Sequence, residues 1–228
     1  TASIGGPVVS NPQTQHLLFE LGTEELPAGP LQTMAIALQN AIADGLAENG
    51  LSFGAIEWFG TPRRLAVQVS DLLACAEDRE HEILGPPVAA AKDDQGDWTP
   101  AALGFAKKNG VDADALQIID TPKGPRLGLV KREQGASAAA VAPQVLAQAV
   151  AAIPVAKRMR WGRERHEFLR PVQWIVALLD SAVIPLEVLG ISAGRETRGH
   201  RFHAPEAVAL NHAQNYQETL LEKRVIVD

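Results

Sequence analysis

Two adjacent carboxylates, Glu24 and Glu25, stand between an apolar run and a proline in LLFELGTEELP, residues 17–27. Paired carboxylates do acid–base work when they share a proton, but neighbours on a turn point apart. What the position offers is negative charge ahead of a predicted helix, worth roughly 0.3–1 kcal/mol against the helix dipole. Arg63 and Arg64, just after the turn Gly60-Thr61-Pro62, are the expected ion-pair partners if the two strands adjoin. The pair is therefore read as a structural or interface device. A hydrolase using Glu24, Glu25 and His200 has only residue types in its favour.

The stretch GHRFH, 199–203, sets His200 and His203 around Arg201. Zinc needs His at helical i,i+4 spacing or on facing strands, with a third ligand. Only His166, His212 or a distant carboxylate is left to complete such a set, and the surrounding arginines repel a cation. His200 is read as a hydrogen-bonded structural residue, and no metal site is expected. The serines lie in no nucleophile elbow. Cys75 is the only cysteine, so no internal disulfide forms. No GxxxxGK[ST] or GxGxxG cradle for phosphates occurs, so no ATP site and no catalytic residue is expected.

The informative chemistry is basic and aromatic. Lys157, Arg158, Arg160, Arg163, Arg165 and Arg170 interleave with Trp161, Phe168 and Trp174, and Arg195, Arg198 and Arg201 follow. Guanidinium forks fit phosphate oxygens, and aromatic rings stack on bases. The same pattern also suits a subunit interface, or a charged surface with Glu164 and Glu167 as internal partners. The net charge is −6, yet residues 157–203 hold nine Lys/Arg against five Asp/Glu, a balance of +4. Basic charge is thus focused where it can act on an anion despite the acidic whole.

The elements that must carry these residues follow from periodicity. A strand at 16–21 leads into a helix over 28–49, with Leu31, Met34, Ile36, Leu38, Ile42 and Leu46 on its apolar face. Strands are predicted at 56–59, at 63–72, where Leu65, Val67 and Val69 alternate, and as an edge at 80–87. Thr99-Pro100 starts a short helix ending at Asn109-Gly110. A hairpin is expected over 116–132, and a helix over 137–152 with Pro143 kinking or delaying it. VQWIVALLD, 172–180, is apolar on both faces and reads as a central strand paired with 183–191 across Ser181-Ala182. Residues 194–205 form a charged loop or edge strand, and Asn211 caps a last helix to about Lys223. The fold class is α+β with mixed or antiparallel sheets. Residues 1–15 are read as a disordered leader, 16–154 as one α+β domain and 155–228 as a basic-aromatic segment of a second, truncated one. No stretch is long and apolar enough to span a bilayer. With one cysteine and no signal peptide, the expected location is cytoplasmic.

LLFELGTEELP, WFGTPRRLAV (58–67), MRWG (159–162), FLRPVQWIVALL (168–179) and TRGHRFHAP (197–205) occur in an order and spacing that resembles one family. They are similar to the N-terminal part of the beta subunit of bacterial heterotetrameric glycyl-tRNA synthetase, from about His16 onward. Gln173 departs from the pattern, which has His in RPVHW. The resemblance implies a non-catalytic subunit of a glycine–tRNA ligase, an aminoacyl-tRNA synthetase that joins glycine to tRNA-Gly using ATP and magnesium. The active site would lie on a separate alpha subunit in an alpha2beta2 assembly. This chain would be an inactive fragment of a longer beta subunit, its partners the alpha subunit, a second beta subunit and tRNA-Gly. The segment from about 155 would correspond to part of the B3/B4-type domain of the phenylalanyl-tRNA synthetase beta chain. The arginine-rich strip is the expected tRNA contact; the alternative is an assembly scaffold that touches no RNA.

Overall fold

The computed structural model describes residues 13–93, 97–122, 124–161 and 166–227. Arg163 and Arg165 of the basic strip therefore lie outside the described residues, as does most of the expected leader.

Strand β1 (Thr14–Thr23) is buried on both sides from Leu17 onward, so it sits at the centre of a sheet. Helix α1 (Ala28–Glu48) buries Met34, Ala35, Leu38, Ile42 and Leu46. Ile36, expected on that face, points outward at the helical spacing that keeps 34, 38, 42 and 46 in one row. Strands β2 (Ile56–Thr61) and β3 (Arg64–Leu73) form a hairpin. Next come β4 (Arg79–Pro87), α2 (Pro100–Asn109), β5 (Gln117–Ile119) and β6 (Arg126–Glu133). Helix α3 (Ala138–Ala152) is capped by Ser137, whose Oγ accepts from Ala140 N at 3.3 Å, and it carries Pro143 within it. There follow β7 (Met159–Trp161), β8 (His166–Phe168), β9 (Val172–Leu179) and β10 (Ala182–Val183). The last elements are β11 (Glu187–Val188), β12 (Ile191–Ser192), β13 (Glu196–Arg198), β14 (Ala207–Ala209) and α4 (Tyr216–Glu222).

The chain divides into two compact units, residues 77–135 and the remainder on either side of them. The boundary expected at 154/155 is crossed by the central sheet: β1 pairs with β9 from Leu17↔Leu179 to Thr23↔Val172. Long-range pairing, invisible to local composition, decides this. The insert, 77–135, is a three-stranded antiparallel sheet in the order β4-β6-β5, with α2 and a small core of Ala91, Ala102 and Leu127.

In the larger unit five antiparallel strands run in the order β10-β9-β1-β3-β2. One face, bearing Leu17, Phe19, Leu21, Leu65, Val67 and Val69, packs on α1 and α3. The other face, bearing Leu18, Ala66, Trp174, Val176 and Leu178, is covered by Leu210, Ala213, Tyr216 and Leu220. Alternation along β1 therefore sends Leu18, Glu20 and Gly22 to this second face.

Two expectations change here. The partner of β9 is two residues long, not 183–191, because Pro185 has no N–H for the ladder. Residues 187–192 instead close their own hairpin on Leu189 (φ 54) and Gly190 (φ 74), both left-handed as a two-residue turn of this type requires. The last helix starts at Tyr216 rather than after Asn211; His212 Nδ1 accepts from Gln214 N at 3.2 Å and holds the turn before it. Every helix among the described residues is too short or too polar to cross a membrane.

Candidate functional site

Glu20 is the residue around which the second face is built, and it was not among the expected site residues. Its neighbours across the ladders are Ala66 on β3 and Val176 on β9. One row along, Gly22 stands between Arg64 and Trp174. Those two long side chains sit diagonal to Glu20, within reach across a sheet. Gly22 is what makes this possible: a Cβ there would lie 1.9 Å from Trp174 Cε2. With no side chain on β1, the indole comes in over the strand, and its Nε1 donates to Glu20 Oε1.

The carboxylate of Glu20 is fully buried and accepts from four side chains. Oε1 takes Trp174 Nε1 and Thr197 Oγ1 (2.7 Å), and Oε2 takes Tyr216 OH (2.5 Å) and Arg64 Nη1 (3.3 Å). Arg64, 3% exposed, also donates through Nη1 to Thr197 Oγ1 at 3.3 Å and through Nη2 to Arg198 O at 2.5 Å. A buried charge is tolerated when it is paired and its lone pairs are filled, and both conditions hold. The network ties β1, β3, β9, β13 and the N-terminus of α4 together. Burial, with the Glu20 charge added, pushes the Tyr216 phenol well above its ordinary value near 10.

Around this anchor the arginines converge. The guanidinium carbons of Arg198, Arg64 and Arg63 lie 5.3, 5.7 and 5.8 Å from the Trp174 ring centroid, within cation–π range. Beside them opens a cleft of about 360 Å³ lined by Arg63, Arg64, Arg201, Arg224, His200 and Phe202, with Glu25 at its edge. Arg63, Arg201 and Arg224 thus line a cavity whose lining holds one carboxylate, while the Arg64 guanidinium is buried against Glu20 beneath it. The Nε atoms of Arg63 and Arg64 are buried without a hydrogen-bond partner among the described residues.

The strip expected at 157–201 is not one surface. Arg201 joins Arg63 and Arg64 in lining the cleft, while Arg198 lies over the Trp174 ring and lines a second cavity. Arg170 reaches the same end of the sheet, donating from Nε to Glu25 O at 3.1 Å. Arg195 is tied down, its Nη2 donating to Ser181 O at 3.0 Å. Arg160 is paired with Glu167 in the β7–β8 hairpin. Lys157 and Arg158 are exposed. Gln173 is exposed and lines that second cavity with Trp174, Arg195 and Arg198.

Glu24 and Glu25 do not cap α1, whose N-cap is Pro27 with no side-chain bond. Glu25 pairs with Arg201 at 3.7 Å, while Arg64, expected as a partner for this pair, turns to Glu20. The reason is the pleat: Arg64 faces the buried side of the sheet and cannot reach back to the turn. Main-chain bonds fix that turn instead, Glu24 N to Pro171 O at 3.0 Å and Leu26 N to Pro62 O at 2.6 Å. His200 Nδ1 accepts from Phe202 N and His203 N, both at 3.2 Å, closing the 200–204 turn. Among the described residues no group of three or more His, Cys, Asp or Glu is placed to hold a metal ion.

Most residues that build this site come from the segments that carry the family resemblance, LLFELGTEELP, TPRR, VQW and TRGHRF, while Tyr216 and Arg224 lie outside them. The family model described as glycyl-tRNA synthetase beta subunit matches residues 17–228. The chain belongs to the glycyl-tRNA synthetase beta-subunit family. A glycine–tRNA ligase beta subunit of Chromohalobacter salexigens is 47% identical over 212 residues, covering 93% of this chain and 31% of that protein. The protein of that name from Pseudomonas aeruginosa is 44% identical over 214 residues, covering 94% and 31%. That from Colwellia psychrerythraea is 42% identical over 215, again 94% and 31%. The chain thus spans about a third of the length of these beta subunits. Glu20, Thr197, Tyr216 and Arg224 are members of the site that sequence reasoning missed. Only Glu20 carried a signal, a carboxylate in the middle of an apolar strand.

Proposed function

We propose that this chain is part of the non-catalytic beta subunit of a glycine–tRNA ligase and that its arginine-lined cleft contacts phosphates of tRNA-Gly. The whole protein would assemble with alpha subunits, as an alpha2beta2 heterotetramer in the cytoplasm. ATP and magnesium chemistry would reside on the alpha subunit. The likeness of the segment from about 155 to a B3/B4-type domain belongs to the same reading.

One observation carries the RNA contact: Arg63, Arg64, Arg201 and Arg224 come from three separate stretches of chain yet line one cleft, with Arg198 beside them over Trp174. Focused positive charge on an acidic protein attracts a polyanion without coating the whole surface. Contacts to phosphate position a nucleic acid without reading its sequence. A scaffold role without RNA is the competing reading, and it is favoured by exposed Phe202, Leu221 and Ile226 in the same region of the chain.

The test is tRNA-Gly binding at low and moderate salt by this chain, alone and with the alpha subunit. The parent is compared with an Arg63→Ala/Arg201→Ala/Arg224→Ala variant. Binding should fall steeply with salt, and the variant should lose it. Equal binding by both would remove the cleft from the RNA. No RNA binding by either, with alpha-subunit association intact in the absence of RNA, would establish the scaffold.

A further inference from the structure

Phe202 is 79% exposed at the lip of the arginine cleft. Its position is not that of a loose loop tip. The turn beneath it is closed by Ala204 N donating to His200 O at 2.9 Å and by both N–H groups on His200 Nδ1. It is anchored to the end of α4 by His200 N donating to Lys223 O at 3.0 Å. Gly199 permits that approach, since a Cβ there would lie 2.7 Å from Ala204 O and 2.9 Å from Lys223 Cβ. A rigid turn therefore holds a large aromatic ring toward solvent.

The ring has company of two kinds. The Arg201 guanidinium carbon lies 5.8 Å from its centroid and the His200 ring 6.2 Å away. Val225 and Ile226, the latter 74% exposed, line the same cleft and give it an apolar wall. Between them and the helix, Arg224 has φ 63, a left-handed conformation that a side chain other than glycine rarely takes. Helix ends commonly put glycine at such a position. Here an arginine occupies it at the mouth of a cleft, an outlier of the kind found at ligand clamps.

We propose that this cleft seats one unpaired nucleotide of an RNA strand, with the base on the exposed face of Phe202 and the adjoining phosphate on Arg63, Arg201 and Arg224. The proposal rests on the reading of the chain as an RNA-contacting one and deepens it. Base-on-aromatic stacking needs a nucleotide that has left the helix, because paired bases offer no free face. The opening, about 360 Å³, is of small-ligand size and does not admit a duplex. An apolar protein segment would match Phe202 and Ile226, but it would leave the arginines without counter-charge.

The probe is a short single-stranded RNA carrying one 2-aminopurine, whose fluorescence is quenched on stacking, with a fully paired duplex as comparison. Binding of the strand by this chain should quench the probe. Phe202→Ala should abolish the quenching and weaken binding roughly 5- to 150-fold, while Phe202→Trp retains both. The duplex should leave the probe unquenched, and any affinity it has outside the cleft should not change with Phe202→Ala. Melting of Phe202→Ala should match the parent, since so exposed a side chain contributes little to the fold.

If Phe202→Ala bound the single strand as the parent does while the arginine triple variant did not, the base seat would be refuted and the phosphate contact would stand. Should the parent bind no RNA at low salt, both readings fall together. If Phe202→Ala bound RNA normally but no longer joined the alpha subunit, the ring belongs to a protein interface and the proposal is overturned.

Discussion

The indole of Trp174 occupies the space where a side chain on Gly22 would stand, the missing Cβ lying 1.9 Å from its Cε2. That one vacancy lets β9 send a ring across β1 to the Glu20 carboxylate, and the arginines then gather round the ring. Gly22→Ala should expel the indole and cost about 1–3 kcal/mol from overpacking alone. Urea unfolding and the change in near-ultraviolet dichroism relative to the parent read the two effects. Gly104→Ala, in α2 with nothing within 4 Å of its Cβ, should instead stabilise its unit by about 0.5–1 kcal/mol.

Glu20→Gln tests the buried pair. The change keeps size and one acceptor oxygen but leaves the Arg64 guanidinium without a carboxylate partner among the described residues. Removing one member of a buried ion pair costs about 3–5 kcal/mol, so a marked fall in the urea midpoint is expected. An unchanged midpoint would mean that Arg198 O and Thr197 Oγ1 suffice to hold Arg64. Arg64→Lys should likewise lower the urea midpoint although it keeps the charge, because an ammonium cannot span Glu20 and Arg198 O at once.

Tyr216 is the only tyrosine in the chain, so its ionisation can be followed without interference. Its folded value is raised well above 10 by burial and by the Glu20 charge. The unfolded phenol loses its proton near pH 10 while the folded one keeps it, so above that point the unfolded state binds fewer protons. Stability is therefore full below pH 10 and declines as pH rises toward the folded value. Tyrosinate absorbance should appear together with unfolding rather than before it. Tyr216→Phe should abolish this alkaline slope while losing about 1–3 kcal/mol at neutral pH, where Glu20 Oε2 forfeits a donor. Tyrosinate formation in a chain still folded would contradict the burial argument.

Much of the fold was legible because its signals are local. Thr99 with Pro100 and Gly110 framed α2 through a cap, a fixed φ and a left-handed end, and alternation in β3 gave its buried face. The division of the chain was not legible, since the pairing of β1 with β9 joins residues far apart in sequence. The site was half legible for the same reason. Arg63, Arg64 and Arg198 stood out by type, but their meeting at Trp174 depends on β3, β9 and β13 being neighbours. Glu20 and Tyr216 took meaning only once the second face was covered by α4. Arg224 gave no local signal, because its left-handed φ departs from residue propensity.

The basic strip of the sequence breaks into residues with different tasks, and two arginines six positions apart test that division. Arg195 donates to Ser181 O at 3.0 Å and to Leu210 O at 3.5 Å, so its head is used inside the fold. Arg201 is more than half exposed and meets Glu25 only at 3.7 Å, a contact worth little to stability. Arg195→Ala should therefore lower stability by about 0.5–1.5 kcal/mol and leave RNA affinity and its salt slope unchanged. Arg201→Ala should leave the melting point in place and weaken binding across RNA sequences alike. Its salt slope should drop by about 0.7–0.9, the loss of one phosphate contact. Equal RNA defects in the two variants, at equal stability, would mean that the strip acts as one surface and that the hydrogen bonds of Arg195 open when RNA arrives.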